Sequence, residues 1–255
     1  MVYIEKIKES VELIKKSSYI VAFTGAGIST ESGIPDFRST EGIWKKFRIV
    51  SYQEFLSDKN ARIEFWKMAK ELVKTILNAK PNEAHKALAE FEKMGILKYV
   101  ITQNIDNLHQ LAGSKNVIEL HGNYKKLICL NCGKRYSVND VLQKLENNEF
   151  DLRCDECKGI IKPEVVFFGE PLPEIELTLA NKIATKCDLM FVIGSSLQVE
   201  PAASIPRLAY YKGAKLIFIN KSSTEWDFMA KITFYEKASK VLKNILDELK
   251  NSLRN

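Results

Sequence analysis

A chain of 255 residues, 45% hydrophobic and 27% charged, carries enough apolar sequence for a sizeable core and reads as one large domain or a large and a small one. Its net charge of +6 reflects a mild excess of lysine, short of the basic stripe of a dedicated nucleic-acid binder, so direct nucleic-acid binding is not expected as its main role. The N-terminal stretch is charged throughout and no apolar run reaches about 18 residues, which argues against a signal peptide or membrane span and for the cytoplasm.

In chain order, Ile4, Ile7, Val11 and Ile14 recur at helical spacing and predict an N-terminal helix. A strand is expected over 19–24, ending in Gly25-Ala26-Gly27. This resembles the strand-to-helix turn on which a dinucleotide pyrophosphate rests. The fingerprint G-x-G-x-x-G is not completed, because Ile28, Ser29 and Thr30 follow Gly27 and the next glycine is Gly33. Pro35 disfavours the helical region for Ile34 and lacks an N–H, so 33–35 should be a loop carrying Asp36, Phe37 and Arg38 outward. Residues about 40 to 80 hold aromatic-rich helical sequence, including Trp44, Phe47, Tyr52, Phe55, Phe65 and Trp66.

His85, in PNEAH, reads as a structural residue near a helix start. The next strand, YVIT at 99–102, ends in Thr102-Gln103-Asn104-Ile105-Asp106. The amides and carboxylate suit ribose and carboxamide recognition, although helix capping by Asn or Asp is an equally ordinary reading. His109 should lie on the following helix, facing core or solvent. VIEL at 117–120 is followed directly by His121 and Gly122, so His121 stands at the carboxyl end of a strand, where α/β sheets place their ligands. It is a candidate proton acceptor; a packed or capping histidine is the alternative. Further runs at 189–194, 215–220 and 231–235 precede a last helix over 239–253, with Val241, Leu242, Ile245, Leu246 and Leu249 on one face. Short, nearly continuous β-branched runs separated by helical or loop sequence predict parallel strands buried on both faces, in a doubly wound α/β sheet.

The cysteines carry the clearest chemistry. Cys129 and Cys132 form one C-x-x-C unit and Cys154 and Cys157 another, and four thiolates so paired predict a closed tetrahedral zinc site with a structural role. The 21 residues between the units exceed the usual spacer of about 15 to 20, which a helix over 138–145 could absorb. Cys187 stands alone before a strand and reads as a core residue.

Taken together, GAGIS and SGIPDFR, TQNID, the HG at 121, the two C-x-x-C units, KPEVVFFGE at 162–170, GSSLQVEPAA at 194–203 and Asn220 closing KLIFIN resemble the sirtuin family of NAD-dependent protein deacylases. The resemblance runs in family order from about residue 5 to 250. It implies a Rossmann-like doubly wound domain (1–39, 80–124 and 169–255), a helical module (40–79) and an inserted small zinc-ribbon domain (125–168), with NAD and an acetyl-lysine peptide or protein meeting between them. NAD would be consumed, with the acetyl-lysine carbonyl oxygen attacking the ribose C1′ and with release of nicotinamide, lysine and 2′-O-acetyl-ADP-ribose.

By that resemblance, Gly25, Ala26, Gly27 and Thr30 lie along the phosphates and adjoining ribose. Asp36, Phe37 and Arg38 belong to a loop closing over the cofactor, where Phe37 would shield the reactive centre from water; packing of the loop is the plainer reading. Asn104 and Asp106 would orient the ribose and carboxamide, with Gln103 and Ile105 lining the pocket, and His121 would accept a proton from the ribose hydroxyls. Gly194, Ser195, Ser196, Asn220 and Lys221 would hold the adenosine half, with Ala238 against the adenine. Val165, Val166, Phe167 and Phe168 would combine a strand edge for the peptide with an apolar acyl tunnel; a buried core strand is the other reading, and the two are compatible. Glu200 departs from the tyrosine often found there. The Tyr-x-x-Arg pair of succinyl- and malonyl-preferring relatives is missing from the matching stretch Phe65 to Lys70, where Lys67 and Lys70 are the nearest cations. A protein ADP-ribosyltransferase and a non-catalytic NAD-sensing module remain rival readings.

Overall fold

The computed structural model describes residues 2–36 and 47–254. Its centre is a six-stranded parallel sheet built from β1 (Ile20–Thr24), β2 (Leu97–Thr102), β3 (Val117–Glu119), β7 (Leu189–Ile193), β8 (Lys215–Asn220) and β9 (Ala230–Tyr235). The order is β3-β2-β1-β7-β8-β9. Every residue of β1 and β7 is buried, because both faces are covered. Ile20 and Ala22 join the core beneath helices Tyr3–Lys16, Glu83–Lys93 and Ala238–Ser252, while Val21 and Phe23 join the core beneath Glu174–Ala184 and Ser204–Tyr211. The continuous apolar runs are thus two alternating patterns superposed. Each of the six expected strands is present, as is the last helix. Ile7, Val11 and Ile14 are buried in the N-terminal helix, whereas Ile4 in its first turn is 64% exposed.

A second, antiparallel sheet has the order β5-β4-β6, from β4 (Gly122–Cys129), β5 (Arg135–Ser137) and β6 (Ile161–Val165). Helix Val138–Glu146 lies within the span between the two cysteine pairs, where a helix could absorb the longer spacer. Helices Tyr52–Ser57 and Lys59–Asn78 share one apolar cluster with this sheet, in which Phe55, Trp66 and Ala69 pack with Leu127, Val141, Leu145, Ile161 and Phe167. The Arg62 guanidinium, 4% exposed, pairs with Asp151 at 2.9 Å and donates to the Phe55 carbonyl at 3.1 Å. Among the described residues, no helix is long and apolar enough to cross a membrane.

The chain passes from the parallel sheet to the antiparallel one at His121–Gly122. Gly122 has φ +76°, and a Cβ there would stand 1.9 Å from the Glu164 carbonyl oxygen. Only glycine permits both that backbone and that approach.

Candidate active site

Strand order reverses between β1 and β7: β2 and β3 extend one way from β1, β8 and β9 the other way from β7. Such a switch point opens a crevice at the carboxyl ends of the two strands. Here those ends are Thr24 and Ile193, which face each other in register. The Gly25 amide donates to the Ile193 carbonyl and the Gly27 amide to the Gly194 carbonyl, both at 2.9 Å. A Cβ on Gly27 would lie 2.6 Å from the Gly194 Cα, and one on Gly194 would lie 2.3 Å from the Ile28 nitrogen. The glycines therefore interlock two strand tips. Beyond them the chain makes two short 3-10 turns, Ala26–Ile28 and Thr30–Ser32, ended by Gly33 at φ +85°. The long helix of the dinucleotide fingerprint does not form, as Pro35 and the misplaced third glycine foretold.

The crevice continues into a cavity of about 620 Å³ lying between the two sheets. One side is polar, with Gly25, Ala26, Gly27, Thr30, Gln103, Asn104, Gly194, Ser195, Ser196, Asn220 and Lys221; Asp36, Ile105 and Ala238 also line it. The other is apolar, with Phe65, Trp66, Met68, Ala69, Leu72, Val73, Leu127 and Val141 facing Val165, Val166, Phe167 and Phe168. His121 lines the same cavity. Asp106 lies off it, on a small adjoining hollow with Asn104, Ile105, Ser29 and Ala26. Phe37 and Arg38 lie outside the described residues.

His121 Nδ1 is 2.9 Å from the Gln103 carbonyl oxygen. A carbonyl only accepts, so Nδ1 carries the proton and Nε2 is the basic nitrogen. Burial pushes the His121 pKa below its ordinary value, and the Gln103 carbonyl partly opposes this. The ring is thereby kept neutral, as a proton acceptor requires. Gln103 also donates from Nε2 to Ser195 Oγ at 2.8 Å, which joins the tips of β2 and β7.

Behind His121 lies a buried polar chain. Asn104 Nδ2 donates to the Gly25 carbonyl at 3.2 Å and to Ser29 Oγ at 3.1 Å, and Ser29 Oγ donates to Asp106 Oδ2 at 2.6 Å. The Leu108 amide donates to Asp106 Oδ1 at 2.9 Å. Burial pushes the Asp106 carboxyl up, and these hydrogen bonds offset part of the shift. Ser29, 1% exposed, was not singled out from the sequence; a hydroxyl one turn from the glycines and an acid in TQNID was the available signal. His85 and His109 meet edge to face beside this chain, with ring centroids 4.9 Å apart. Burial pushes His85 down to about 4 and His109 well below its usual range, so both are neutral structural residues. On the adenosine-facing side expected from the sequence, Asn220 is 9% exposed and its Nδ2 is buried without a partner. An orphaned donor on a cavity wall fits a ligand acceptor. Lys221 Nζ donates to Thr30 Oγ1 at 3.2 Å. Glu200 reaches the wall paired with Arg207, which stacks on Trp226 at 4.6 Å.

The stretch Val165 to Phe168 needs a correction. β6 ends at Val165, so three of the four residues lie beyond the strand. Gly169 at φ +81° turns the chain, and the Phe167 amide is taken by the Glu170 carboxylate at 2.9 Å. Only Phe167 of the four is buried, which removes the core-strand reading.

Away from the cavity, the Sγ atoms of Cys129, Cys132, Cys154 and Cys157 all lie within 4.8 Å of one another. Cys129 and Cys157 are 3.4 Å apart, and Cys132 and Cys154 are 3.7 Å apart. Tetrahedral zinc with bonds of about 2.3 Å sets sulfur separations near 3.8 Å, so the set fits one structural ion. Gly159 is needed here, since a Cβ would meet Cys129 Sγ at 2.8 Å. Cys187 is buried in the core.

A profile described as "Sir2 family" matches residues 25–201. The chain belongs to the Sir2 family. This Sir2-family chain is 68% identical over 249 residues to the NAD-dependent protein deacetylase of Thermodesulfovibrio yellowstonii, covering 98% of this chain and 97% of that protein. It is also similar to a solved structure of Sir2 with a p53 peptide and NAD+, with a TM-score of 0.87 and 41% identity over 95% of this chain and 98% of that one. A further structure, of Sir2 with an inhibitor, 2′-O-acetyl-ADP-ribose and a deacetylated p53 peptide, gives a TM-score of 0.85 and 42% identity over 94% and 98% of the two chains.

Proposed function

We propose that this Sir2-family chain is an NAD-dependent protein lysine deacetylase. It takes an acetylated protein or peptide, NAD and water to free lysine, nicotinamide and 2′-O-acetyl-ADP-ribose. The observation that carries this reading is the placement of His121, whose basic nitrogen belongs to a neutral imidazole lining the cavity shared by the polar and apolar walls. Bound on the polar wall, NAD would supply an electrophilic ribose C1′ as nicotinamide leaves. Gly25 to Gly27, Thr30, Ser195, Asn220 and Lys221 would hold it, and the unpartnered Asn220 Nδ2 would find an acceptor there. Asn104, fixed by Gly25 and Ser29, would orient the ribose. Asp106 would act from the adjoining hollow on the carboxamide, since its carboxyl is tied to Ser29 and Leu108. His121 Nε2 would take a proton from a ribose hydroxyl. Asp36, Phe37 and Arg38 would close over the cofactor and exclude water.

The apolar wall would receive the acetyl-lysine side chain, with the Val165–Phe168 edge guiding the peptide backbone. Zinc would be held by the four cysteines as a closed structural ion, with no open position for substrate. We divide the chain into a Rossmann-like part (1–39, 80–124 and 169–255), a helical module (40–79) and a zinc-ribbon domain (125–168); the antiparallel sheet itself begins at Gly122, three residues before the last boundary. The unpaired cysteines suit the reducing cytoplasm, where we place the protein. The ADP-ribosyltransferase reading is not favoured, because a solved relative holds deacetylated peptide beside 2′-O-acetyl-ADP-ribose.

Mass spectrometry of a reaction containing the protein, NAD and an acetyl-lysine peptide tests the proposal. Free lysine peptide, nicotinamide and O-acetyl-ADP-ribose in equal amounts are expected. An ADP-ribosylated acceptor with intact acetyl-lysine, or NAD bound without nicotinamide release, would refute it.

A further inference from the structure

Lys162 is a buried cation that the mechanism above does not use. It stands in β6 opposite Ile128 of β4 and is 4% exposed. Its ammonium donates to the Val165 carbonyl at 2.7 Å and the Pro163 carbonyl at 3.1 Å, and it pairs with Glu170 Oε2 at 2.9 Å. Three donors thus meet three acceptors. The same ammonium lies 4.5 Å from the centroid of the Phe167 ring, within reach of a cation–π attraction. Glu170 Oε2 in turn accepts the Phe167 amide at 2.9 Å. Both ends of the segment 163–170 are therefore tied to one side chain that does not itself line the cavity.

Buried ion pairs are poor devices for stability, because desolvation offsets most of the attraction and an apolar pair often does as well. What this pair provides is geometry. Beyond β6 the segment is fastened to its surroundings by the Val166 amide on the His121 carbonyl at 3.0 Å and the Tyr52 amide on the Phe168 carbonyl at 2.9 Å. Phe167 is the wall residue at its centre, against Phe65 at 4.7 Å. We propose that Lys162, acting through Glu170 and Phe167, is a positioning residue that holds Val165–Phe168 in the conformation an acyl-lysine peptide requires. This rests on the deacetylase reading above and assigns to Lys162 control of peptide affinity, separate from cofactor affinity.

Steady-state kinetics with peptide and NAD varied in turn tests it, on wild type, Lys162→Met, Lys162→Arg and the double variant Lys162→Met/Glu170→Gln. The double variant leaves no unpaired charge and keeps an acceptor for the Phe167 amide, so it folds even where the single Met variant does not. Lys162→Met and the double variant should raise the KM for acetyl peptide by about tenfold or more while changing the KM for NAD by less than about threefold. Lys162→Arg, which keeps a cation with several donors, should recover most of the peptide affinity. A double variant with wild-type peptide KM, or one whose KM for NAD rises in parallel with that for peptide, overturns the proposal. A wild type that binds no acetyl-lysine peptide overturns the deacetylase reading as well, whereas an active wild type with indifferent variants sinks only the role of Lys162.

Discussion

Replacing the acetyl group of a substrate peptide by succinyl places a carboxylate against the apolar wall. That wall is Phe65, Trp66, Met68, Ala69, Leu72 and Val73 on helix Lys59–Asn78, facing Val165 to Phe168. The two lysines of the helix that lie nearest in sequence turn away: the ammonium groups of Lys67 and Lys70 sit 5.7 and 5.6 Å from the Phe150 ring centroid, and neither residue lines the cavity. Arg48 does reach the lining, but its guanidinium is paired with Glu54 and with Glu64, the latter at 2.9 Å. A carboxylate left without a partner there costs about 1 to 3 kcal/mol, which corresponds to roughly 5- to 150-fold in kcat/KM. Competition between acetyl-lysine and succinyl-lysine versions of one peptide, with the loss of each acyl peptide followed by mass spectrometry, measures the ratio directly. A succinyl peptide turned over as fast as the acetyl one would refute the reasoning. It would show that Arg48 leaves its two acids, or that a lysine reaches the chamber.

Cys129→Ser or Cys154→Ser should lose zinc and melt at lower temperature, with activity falling as a consequence; full activity in metal-free protein would contradict the structural role. His121→Ala should lower kcat by about 10²-fold or more while nucleotide affinity, read by calorimetry, stays near that of wild type. Because burial depresses the His121 pKa and the neutral ring is the working form, activity should rise with pH through a value below the ordinary 6.5 and be level at neutrality; a limb centred above neutrality would refute this. His85 gives a stability test. Its folded pKa is depressed from 6.5 to about 4, so its contribution is complete above pH 6.5 and is lost as pH falls toward 4, a change of roughly 3 kcal/mol. Denaturant unfolding at pH 7 and pH 4 should therefore show a smaller loss in His85→Gln than in wild type.

Much of the parallel sheet was legible because strands buried on both faces leave an unbroken apolar run, as at 189–193 and 215–220. The antiparallel sheet was not. β4 runs Gly122 to Cys129 with exposed Lys125 and Lys126 in its middle, and β5 is only three residues long, so neither forms a recognisable apolar stretch. The cysteine pairs were legible from chemistry alone, since their spacing fixes a ligand set without knowledge of the fold. The polar residues of the cavity were legible only at the ends of recognisable strands: Asn104, His121 and Asn220 follow such runs. Ser29 and Lys162 escaped because each takes its meaning from partners distant in sequence or in a turn. Lys162 reads as a solvated lysine until the chain folds Glu170 back onto it.

The position of His121 also explains why one residue can serve both walls of the cavity. Its own carbonyl receives the Val166 amide from the peptide-facing segment, while its ring is held by the Gln103 carbonyl at the tip of β2. The backbone thus belongs to the small sheet and the imidazole to the large one. Gly122 makes this possible, because any side chain at its φ of +76° would collide with Glu164. A displacement of the small sheet relative to the large one would therefore pull on the His121 backbone while Gln103 restrains its ring. Such coupling makes the base sensitive to whether the peptide edge is correctly seated. Asn104 and Asp106, by contrast, are fixed to β1 and to Ser29 within the large sheet's own tips. Cofactor orientation should accordingly be robust to changes in the small sheet, while proton transfer and peptide binding should respond to them together.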